Sequence, residues 1–138
     1  MLVYWDSSAL LNALVAQPVL NRLGQGEHLT RSHAYVEAFH HLSGRGLPLK
    51  DGQRLVVTPA DAARMIRNLS KKVPARDPDP EQILQALDAA QGRGVTGRMV
   101  HDWIHAQAAK LARADLVLTR DEAFSRLCAA EGLATAWP

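Results

Sequence analysis

Short apolar segments of β-forming residues alternate along this chain with longer segments of helical periodicity, and this alternation restricts the fold more than any other feature. Residues 2–5 and 116–118 have the composition of buried strands. Segments 28–30, 73–75 and 133–135 are weaker strand candidates. Because helical segments separate these strands, the order predicts an α/β fold with a mainly parallel central sheet. Such a sheet places functional sites at the carboxyl ends of its strands.

Helix boundaries are marked by capping residues, prolines and glycines. Thr58, Pro59 and Asp61 form a helix start in which a hydroxyl cap precedes a proline and a carboxylate follows. Asp79 followed by Pro80 opens another helix. Further helices are expected at 9–16 with Ser7 or Ser8 as the cap, at 32–43 with Ser32 as the cap, from about 97 to 113, and after Asp121. Residues 44–54 are expected to form a loop.

Apolar side chains at helical spacing predict the buried faces of these helices. The residues concerned are Val36 and Phe39 in the helix after Ser32, and Ile83, Leu84 and Leu87 in the helix after Pro80. Only 5% of the residues are aromatic, so the core depends mainly on aliphatic side chains. The large core anchors are expected to be Trp5, Phe39, Trp103 and Phe124.

The size and composition are those of one compact domain, spanning residues 1–138. Cys128 is the only cysteine, so no disulfide can form within the chain, and no apolar segment has the length of a signal peptide core or a membrane span. A cytoplasmic protein without membrane contact is expected. The net charge of +2 permits an anionic partner. Basic residues recur at 64–76 and 93–113, either as solvated helix faces or as phosphate contacts.

Four acidic residues occupy positions where a parallel sheet could bring them together. Asp6 directly follows the first strand, and Asp121 lies just beyond the strand at 116–118. Glu37 and Asp102 lie early in predicted helices, each between apolar neighbours. A carboxylate in apolar surroundings is costly unless it has a partner. Taken singly, each acid also has a purely structural interpretation as a helix cap or a surface residue.

A divalent cation would relieve the repulsion among four carboxylates in one cavity. Mg²⁺ and Mn²⁺ take oxygen ligands, and such an ion can activate water and stabilise charge on a phosphodiester. The acids therefore favour a metal-dependent hydrolase that acts on nucleic acid.

Four blocks of the sequence resemble PIN-domain proteins, in family order and over nearly the whole chain. They are the strand with Asp6, Ser7 and Ser8, the segment 32–42 around Glu37, the segment 97–109 around Asp102, and the segment 114–124 with Thr119, Asp121 and Phe124. The length and single-domain layout are similar to those of VapC-type toxins of toxin–antitoxin pairs. This resemblance implies a three-layer α/β/α sandwich and a Mg²⁺-dependent endoribonuclease, with Mn²⁺ as an alternative ion. It also implies a homodimer inhibited by a small antitoxin protein that blocks the acidic pocket.

The resemblance assigns roles to individual residues. Asp6, Glu37 and Asp102 would be metal ligands, and Asp121 would complete the catalytic site directly or through water. Ser7 would help to hold a ligand or the scissile phosphate of the RNA substrate. Asp115 is the alternative to Asp121, but it precedes its strand and should lie at the opposite edge of the sheet.

Three other interpretations remain open at this point. His33, Glu37 and His41 share a helical face, as do His101 and His105, and either set could bind zinc. The pair His101–Asp102 is similar to the metal-binding dyad of HD-type phosphohydrolases, although those domains are usually all-helical. The third possibility is a non-catalytic PIN-like module that binds RNA or protein.

Overall fold

A computed structural model describes all 138 residues and has a central sheet of four parallel strands in the order β2-β1-β5-β6. The strands are β1 (Leu2–Trp5), β2 (Glu27–Leu29), β3 (Leu47–Pro48), β4 (Arg54–Leu55), β5 (Leu116–Leu118) and β6 (Thr135–Ala136). Strands β3 and β4 form a separate antiparallel hairpin. The predicted α/β class with a mainly parallel central sheet is confirmed.

Helices cover both faces of this sheet. They are α1 (Ser7–Ala13), α2 (Gln17–Asn21), α3 (Ser32–Ser43), α4 (Pro59–Ser70), α5 (Pro80–Ala90), α6 (Met99–Leu111) and α7 (Glu122–Ala130). Alternate side chains of β1 point to opposite faces, as in any strand. Val3 and Trp5 pack in one cluster with α1, while Tyr4 packs in another with α6 and α7. None of the helices is long and apolar enough to cross a membrane.

Strand register brings distant parts of the chain to one edge of the sheet. Trp5, the last residue of β1, is paired with Leu118, the last residue of β5. The residues that follow, Asp6 and Thr119, therefore leave the sheet side by side at its carboxyl edge. Both are buried.

Several local predictions are wrong. The buried face of α3 consists of Ala34, Ala38 and Leu42, whereas the side chain of Val36 is 60% exposed and Phe39 is 36% exposed. Small alanine side chains allow α3 to pack closely on its neighbours, and this closeness leaves the larger residues outside.

The predicted apolar stripe of α5 is also largely exposed. Leu84 and Leu87 lie on its surface, while Ala86 and Ala90 are buried against Trp103 and Ile104. The predicted loop at 44–54 contains most of the β3–β4 hairpin. The strand expected at 73–75 is reduced to one bridge between Thr30 and Ala75.

Helix capping was predicted correctly in α4 and α5. Thr58 caps α4, and Asp79 caps α5 in a reciprocal capping box. The cap of α1 is Asp6 and not Ser7 or Ser8. Ser32 is the first residue of α3 and not its cap, and its backbone N–H donates to Asp77 Oδ1.

Candidate active site

Asp6 is the most buried acid at the carboxyl edge of the sheet, and its carboxylate is held by three protein donors. Its Oδ1 accepts the backbone N–H of Ala9 at 2.9 Å, which caps α1, and the Ser8 hydroxyl at 2.6 Å. Its Oδ2 accepts the hydroxyl of Thr119. Burial raises the pKa of Asp6, and the hydrogen bonds from Ser8, Thr119 and Ala9 oppose that rise. These donors fix the carboxylate in one orientation.

Asp121 is linked to the same network through the backbone. Its N–H donates to Thr119 Oγ1 at 3.0 Å, and its Oδ1 accepts the N–H of Phe124 at 3.0 Å as the cap of α7. Asp6 and Asp121 are thus both helix caps. This agrees with the purely structural interpretation that each of them has in the sequence. Capping uses only part of the accepting capacity of a carboxylate, since each oxygen has two lone pairs.

Asp102 lies in the first turn of α6, half-buried. Burial raises the pKa of its carboxyl group, and the neighbouring charge of Asp121 raises it further, with smaller contributions from Asp6 and Glu37. The carboxylate of Asp102 therefore lies close enough to the other three to be repelled by them. A carboxylate in this position is stabilised by any cation that enters the cavity.

Glu37 reaches the same cavity from α3. Its Oε1 lies 2.9 Å from Nε2 of His105, a residue of α6 that is only 3% exposed. Burial raises the pKa of Glu37, but the hydrogen bond from His105 and the electrostatic effect of His105, His33 and Arg31 together outweigh burial and leave that pKa below its usual value. The other ring nitrogen of His105 lies 2.7 Å from the Tyr4 hydroxyl.

One cavity of about 480 Å³ joins these acids. All five residues proposed from the sequence line it, namely Asp6, Ser7, Glu37, Asp102 and Asp121. Asp115 does not, because its carboxylate accepts the N–H of Leu2 at 2.7 Å at the opposite edge of the sheet. The structure thus favours Asp121 over Asp115 as the fourth acid of this cavity.

Two arginines form another part of the cavity wall. Arg45 and Arg54, from the hairpin region, line it together with the acids, and neither forms an ion pair with them. Arg54 donates to the carbonyls of Arg45 at 2.6 Å and Gly46 at 3.0 Å, and thereby holds the turn before β3. The lysines and arginines of the basic stretches at 64–76 and 93–113 do not line the cavity.

No group of three or more His, Cys, Asp or Glu side chains lies in an arrangement that could hold a metal ion. The donor chemistry nevertheless fits a hard cation, because all four acids present oxygen ligands to one cavity. Mg²⁺ commonly takes one or two carboxylates and completes its shell with water, so it does not require three converging side chains. The residues therefore fit such an ion by donor type and by shared cavity, without forming a closed site.

The histidines are not arranged as the zinc interpretation requires. His33 stacks on His101 with ring centroids 5.9 Å apart, and His41 lies edge-on to His40. Both ring nitrogens of His105, expected beside His101, are used by Tyr4 and Glu37. The parallel sheet also separates this fold from the all-helical HD-type domains.

Sequence reasoning missed the residues that support the acids. These are Ser8 and Thr119 beside Asp6, His105 beside Glu37, and Tyr4 beside His105. Thr119 precedes Asp121 by two residues and could have been proposed from that spacing. No local signal points to His105, because its partners are 101 and 68 residues away in sequence.

The fold is shared with solved structures of toxin–antitoxin complexes. A chain of VapBC-1 from nontypeable Haemophilus influenzae is similar with a TM-score of 0.68 and 16% identity, over 99% of this chain and 97% of that one. A chain of VapBC2 from Rickettsia felis, solved with a DNA fragment from its promoter, gives a TM-score of 0.65 and 13% identity, over 99% and 98%. No family model and no curated protein matches the sequence. At such identities the likeness establishes the fold, and it confirms the architecture that the PIN-domain resemblance predicts.

Proposed function

We propose that this chain is a metal-dependent endoribonuclease and the toxin of a toxin–antitoxin pair. The observation that carries the proposal is the convergence of four carboxylates from separate elements on one cavity. Asp6 follows β1, Glu37 lies in α3, Asp102 in α6 and Asp121 before α7. Carboxylates that repel one another destabilise the folded protein, so their convergence is explained if a cation binds among them.

Asp6, Glu37, Asp102 and Asp121 would hold Mg²⁺ or Mn²⁺, in part through water. A bound ion supplies a water of lowered pKa and neutralises charge on the phosphodiester. The protein orients the ligands, since Ser8 and Thr119 fix Asp6 and the His105 hydrogen bond fixes Glu37. Ser7 lines the cavity and would contact the scissile phosphate. The reaction adds water across one phosphodiester P–O bond of RNA.

The two arginines of the cavity wall, Arg45 and Arg54, favour an anionic substrate. Arg45 and Arg54 face the same cavity as the acids but are not neutralised by them, so their charge is free to attract a phosphate. A polynucleotide lying across the cavity would then meet arginine on one side and the cation on the other. Arginine suits this role because its planar guanidinium can donate two hydrogen bonds to a phosphate.

An antitoxin partner is proposed from the fold shared with the two VapBC complexes. A groove of about 460 Å³ between α3 and α4 offers an apolar surface for a protein partner, lined by Tyr35, Val36, Phe39, Ala63 and Ile66. Because α3 also carries Glu37, an antitoxin segment bound in this groove would lie close to the acidic cavity. A homodimer is proposed from the resemblance alone, and light scattering of the purified chain tests it.

The deciding experiment is a cleavage assay of the antitoxin-free protein on total cellular RNA. We expect discrete fragments with Mg²⁺ or Mn²⁺, none with excess EDTA, and none with Asp6→Asn. Asparagine still accepts the N–H of Ala9 as a helix cap, so this variant should fold. Asp115→Asn is the matched control, since Asp115 lies at the other edge of the sheet, and it should cleave like the wild type.

The open arrangement of the four acids also suits the rival function, a non-catalytic module that binds RNA or protein. That module would bind RNA without cutting it, and Asp6→Asn would leave its biological effect unchanged. Cleavage that persists in EDTA or in Asp6→Asn would contradict the metal-dependent nuclease.

A further inference from the structure

A buried chain of hydrogen bonds runs from the central sheet to Glu37. The hydroxyl of Tyr4, on β1, lies 2.7 Å from Nδ1 of His105, and Nε2 of His105 lies 2.9 Å from Oε1 of Glu37. Tyr4 is fully buried and His105 is 3% exposed. The rings of Tyr4 and His105 meet edge-on, with centroids 5.9 Å apart. Glu37 and His105 both line the cavity, whereas Tyr4 does not.

The direction of these hydrogen bonds follows from which groups can donate. Burial raises the pKa of the Tyr4 hydroxyl, so this group keeps its proton and donates it. An ionised carboxylate only accepts, so Nε2 of His105 must carry a proton toward Glu37. A ring with its proton on Nε2 alone accepts the Tyr4 proton at Nδ1. In this arrangement the Tyr4 hydroxyl, both ring nitrogens of His105 and Oε1 of Glu37 each have a hydrogen-bond partner.

We propose that Tyr4 and His105 are positioning residues that hold Glu37 by one oxygen and leave its other oxygen to bind a cation. This proposal rests on the proposed function, because it concerns how Glu37 binds the divalent ion. The His105 hydrogen bond goes to Oε1, and no protein donor contacts Oε2 of Glu37. Partners of this kind commonly change metal affinity by about 10- to 100-fold when they are removed.

Packing alone does not explain His105. Its ring is buried, and its centroid lies 5.9 Å from that of Phe124. An aliphatic side chain of similar volume would fill this site without needing hydrogen-bond partners. A histidine here is favoured only if its two nitrogens are used, and Tyr4 and Glu37 use both.

The test compares two double variants that differ only in the donor to Glu37. Tyr4→Phe/His105→Leu replaces both partners of the Tyr4–His105 hydrogen bond by apolar groups, a change that can be nearly neutral for stability. Tyr4→Phe/His105→Gln keeps an N–H near the position of Nε2. Titration calorimetry with Mn²⁺ on the metal-free proteins measures affinity, and thermal unfolding in EDTA measures stability.

We expect the leucine variant to bind Mn²⁺ about 10- to 100-fold more weakly than the wild type at a similar Tm. The glutamine variant should retain most of the affinity. His101→Leu, an exposed histidine on the same helix, is the matched control and should bind like the wild type. Equal Mn²⁺ affinity in the leucine and glutamine variants would overturn the proposal.

A metal-free measurement separates this proposal from the proposed function. Nitrogen-15 NMR of the wild-type imidazoles should show His105 with its proton on Nε2. If the wild type binds no Mn²⁺, the proposed function fails. The NMR result then still tests whether the hydrogen bonds from Tyr4 through His105 to Glu37 are present. A proton on Nδ1 only would overturn that hydrogen-bond chain.

Discussion

Asp6 and Thr119 are hydrogen-bonded to each other across the carboxyl ends of β1 and β5, although 113 residues separate them in sequence. The Thr119 hydroxyl has one proton, which it donates to Asp6 Oδ2. It can therefore only accept from the backbone N–H of Asp121, 3.0 Å away. The Thr119 hydroxyl thus links the carboxylate of Asp6 to the backbone of Asp121 and holds together the two loops that carry these acids.

Thr119→Val tests this connection. Valine has nearly the same shape, but it leaves Asp6 with one donor fewer and the N–H of Asp121 without its acceptor. We expect a loss of about 1–3 kcal/mol in the free energy of unfolding, measured by urea denaturation. Thr119→Ser keeps the hydroxyl and should lose only the small contribution of the methyl group. If the serine and valine variants are equally stable, the hydroxyl is not important for the fold.

The repulsion at Asp102 predicts a pH-dependent gain in stability for Asp102→Asn. Because the pKa of Asp102 is raised in the folded protein, the unfolded chain loses this proton at a lower pH than the folded protein does. The metal-free wild type therefore loses stability as the pH rises through this interval. Asparagine carries no charge, so Asp102→Asn should have the higher Tm at neutral pH.

The measurement is thermal unfolding in EDTA from about pH 3.5 to pH 8. The difference in Tm should shrink as the pH falls below about 3.9, where the aspartate becomes mostly protonated in both states. Asp88→Asn, on the exposed surface of α5, controls for the loss of one negative charge. A lower Tm for Asp102→Asn at neutral pH would show that Asp102 is not under repulsion.

The sequence predicted the parts of this protein that depend on short-range rules. Thr58 and Asp79 were identified as helix caps because a cap and the N–H groups it accepts lie within one helical turn. The placement of Asp6 and Asp121 at the carboxyl edge followed from the parallel sheet. Asp115 could be excluded from the candidate site for the same reason, because it precedes its strand and lies at the opposite edge of the sheet.

The remaining features depend on contacts between residues far apart in sequence. Spacing alone could not show that α3 buries Ala34 and Ala38 and leaves Val36 exposed, because both sets follow helical periodicity. The role of His105 could not be predicted, because it depends on contacts with both Tyr4 and Glu37, which are distant from it in sequence. The two-residue strands of the hairpin are too short for any alternating pattern.

Arg45 is expected to contribute to RNA binding and not to the fold. Its side chain is exposed on the cavity wall, so Arg45→Gln should leave Tm unchanged. Binding of a single-stranded RNA is measured in an Asp6→Asn background over a range of salt concentrations. Loss of one phosphate contact should weaken binding and reduce the salt slope by about 0.7. Arg93→Gln is the control, because Arg93 is 3.5 Å from Glu131 and does not line the cavity.

Gly46 fixes the turn that carries Arg45, and its replacement should disturb the cavity wall. It has a positive φ of 72°, and a Cβ at this position would lie 2.2 Å from the carbonyl oxygen of Leu55. Gly46→Ala can therefore be accommodated only if the β3–β4 hairpin shifts. We expect a loss of more than about 2 kcal/mol, the upper end of the cost of left-handed backbone alone.

Gly52→Ala, in the turn of the same hairpin, is the matched control. Gly52 also has a positive φ, of 81°, but a Cβ there would meet no atom within 4 Å. This variant should lose only about 1–2 kcal/mol from backbone strain and should bind RNA normally. Because Arg45 is adjacent to Gly46, Gly46→Ala should weaken RNA binding in the Asp6→Asn background as much as Arg45→Gln does. Equal stability and equal RNA affinity of the two alanine variants would show that the close approach of Gly46 to Leu55 does not hold the arginine wall in place.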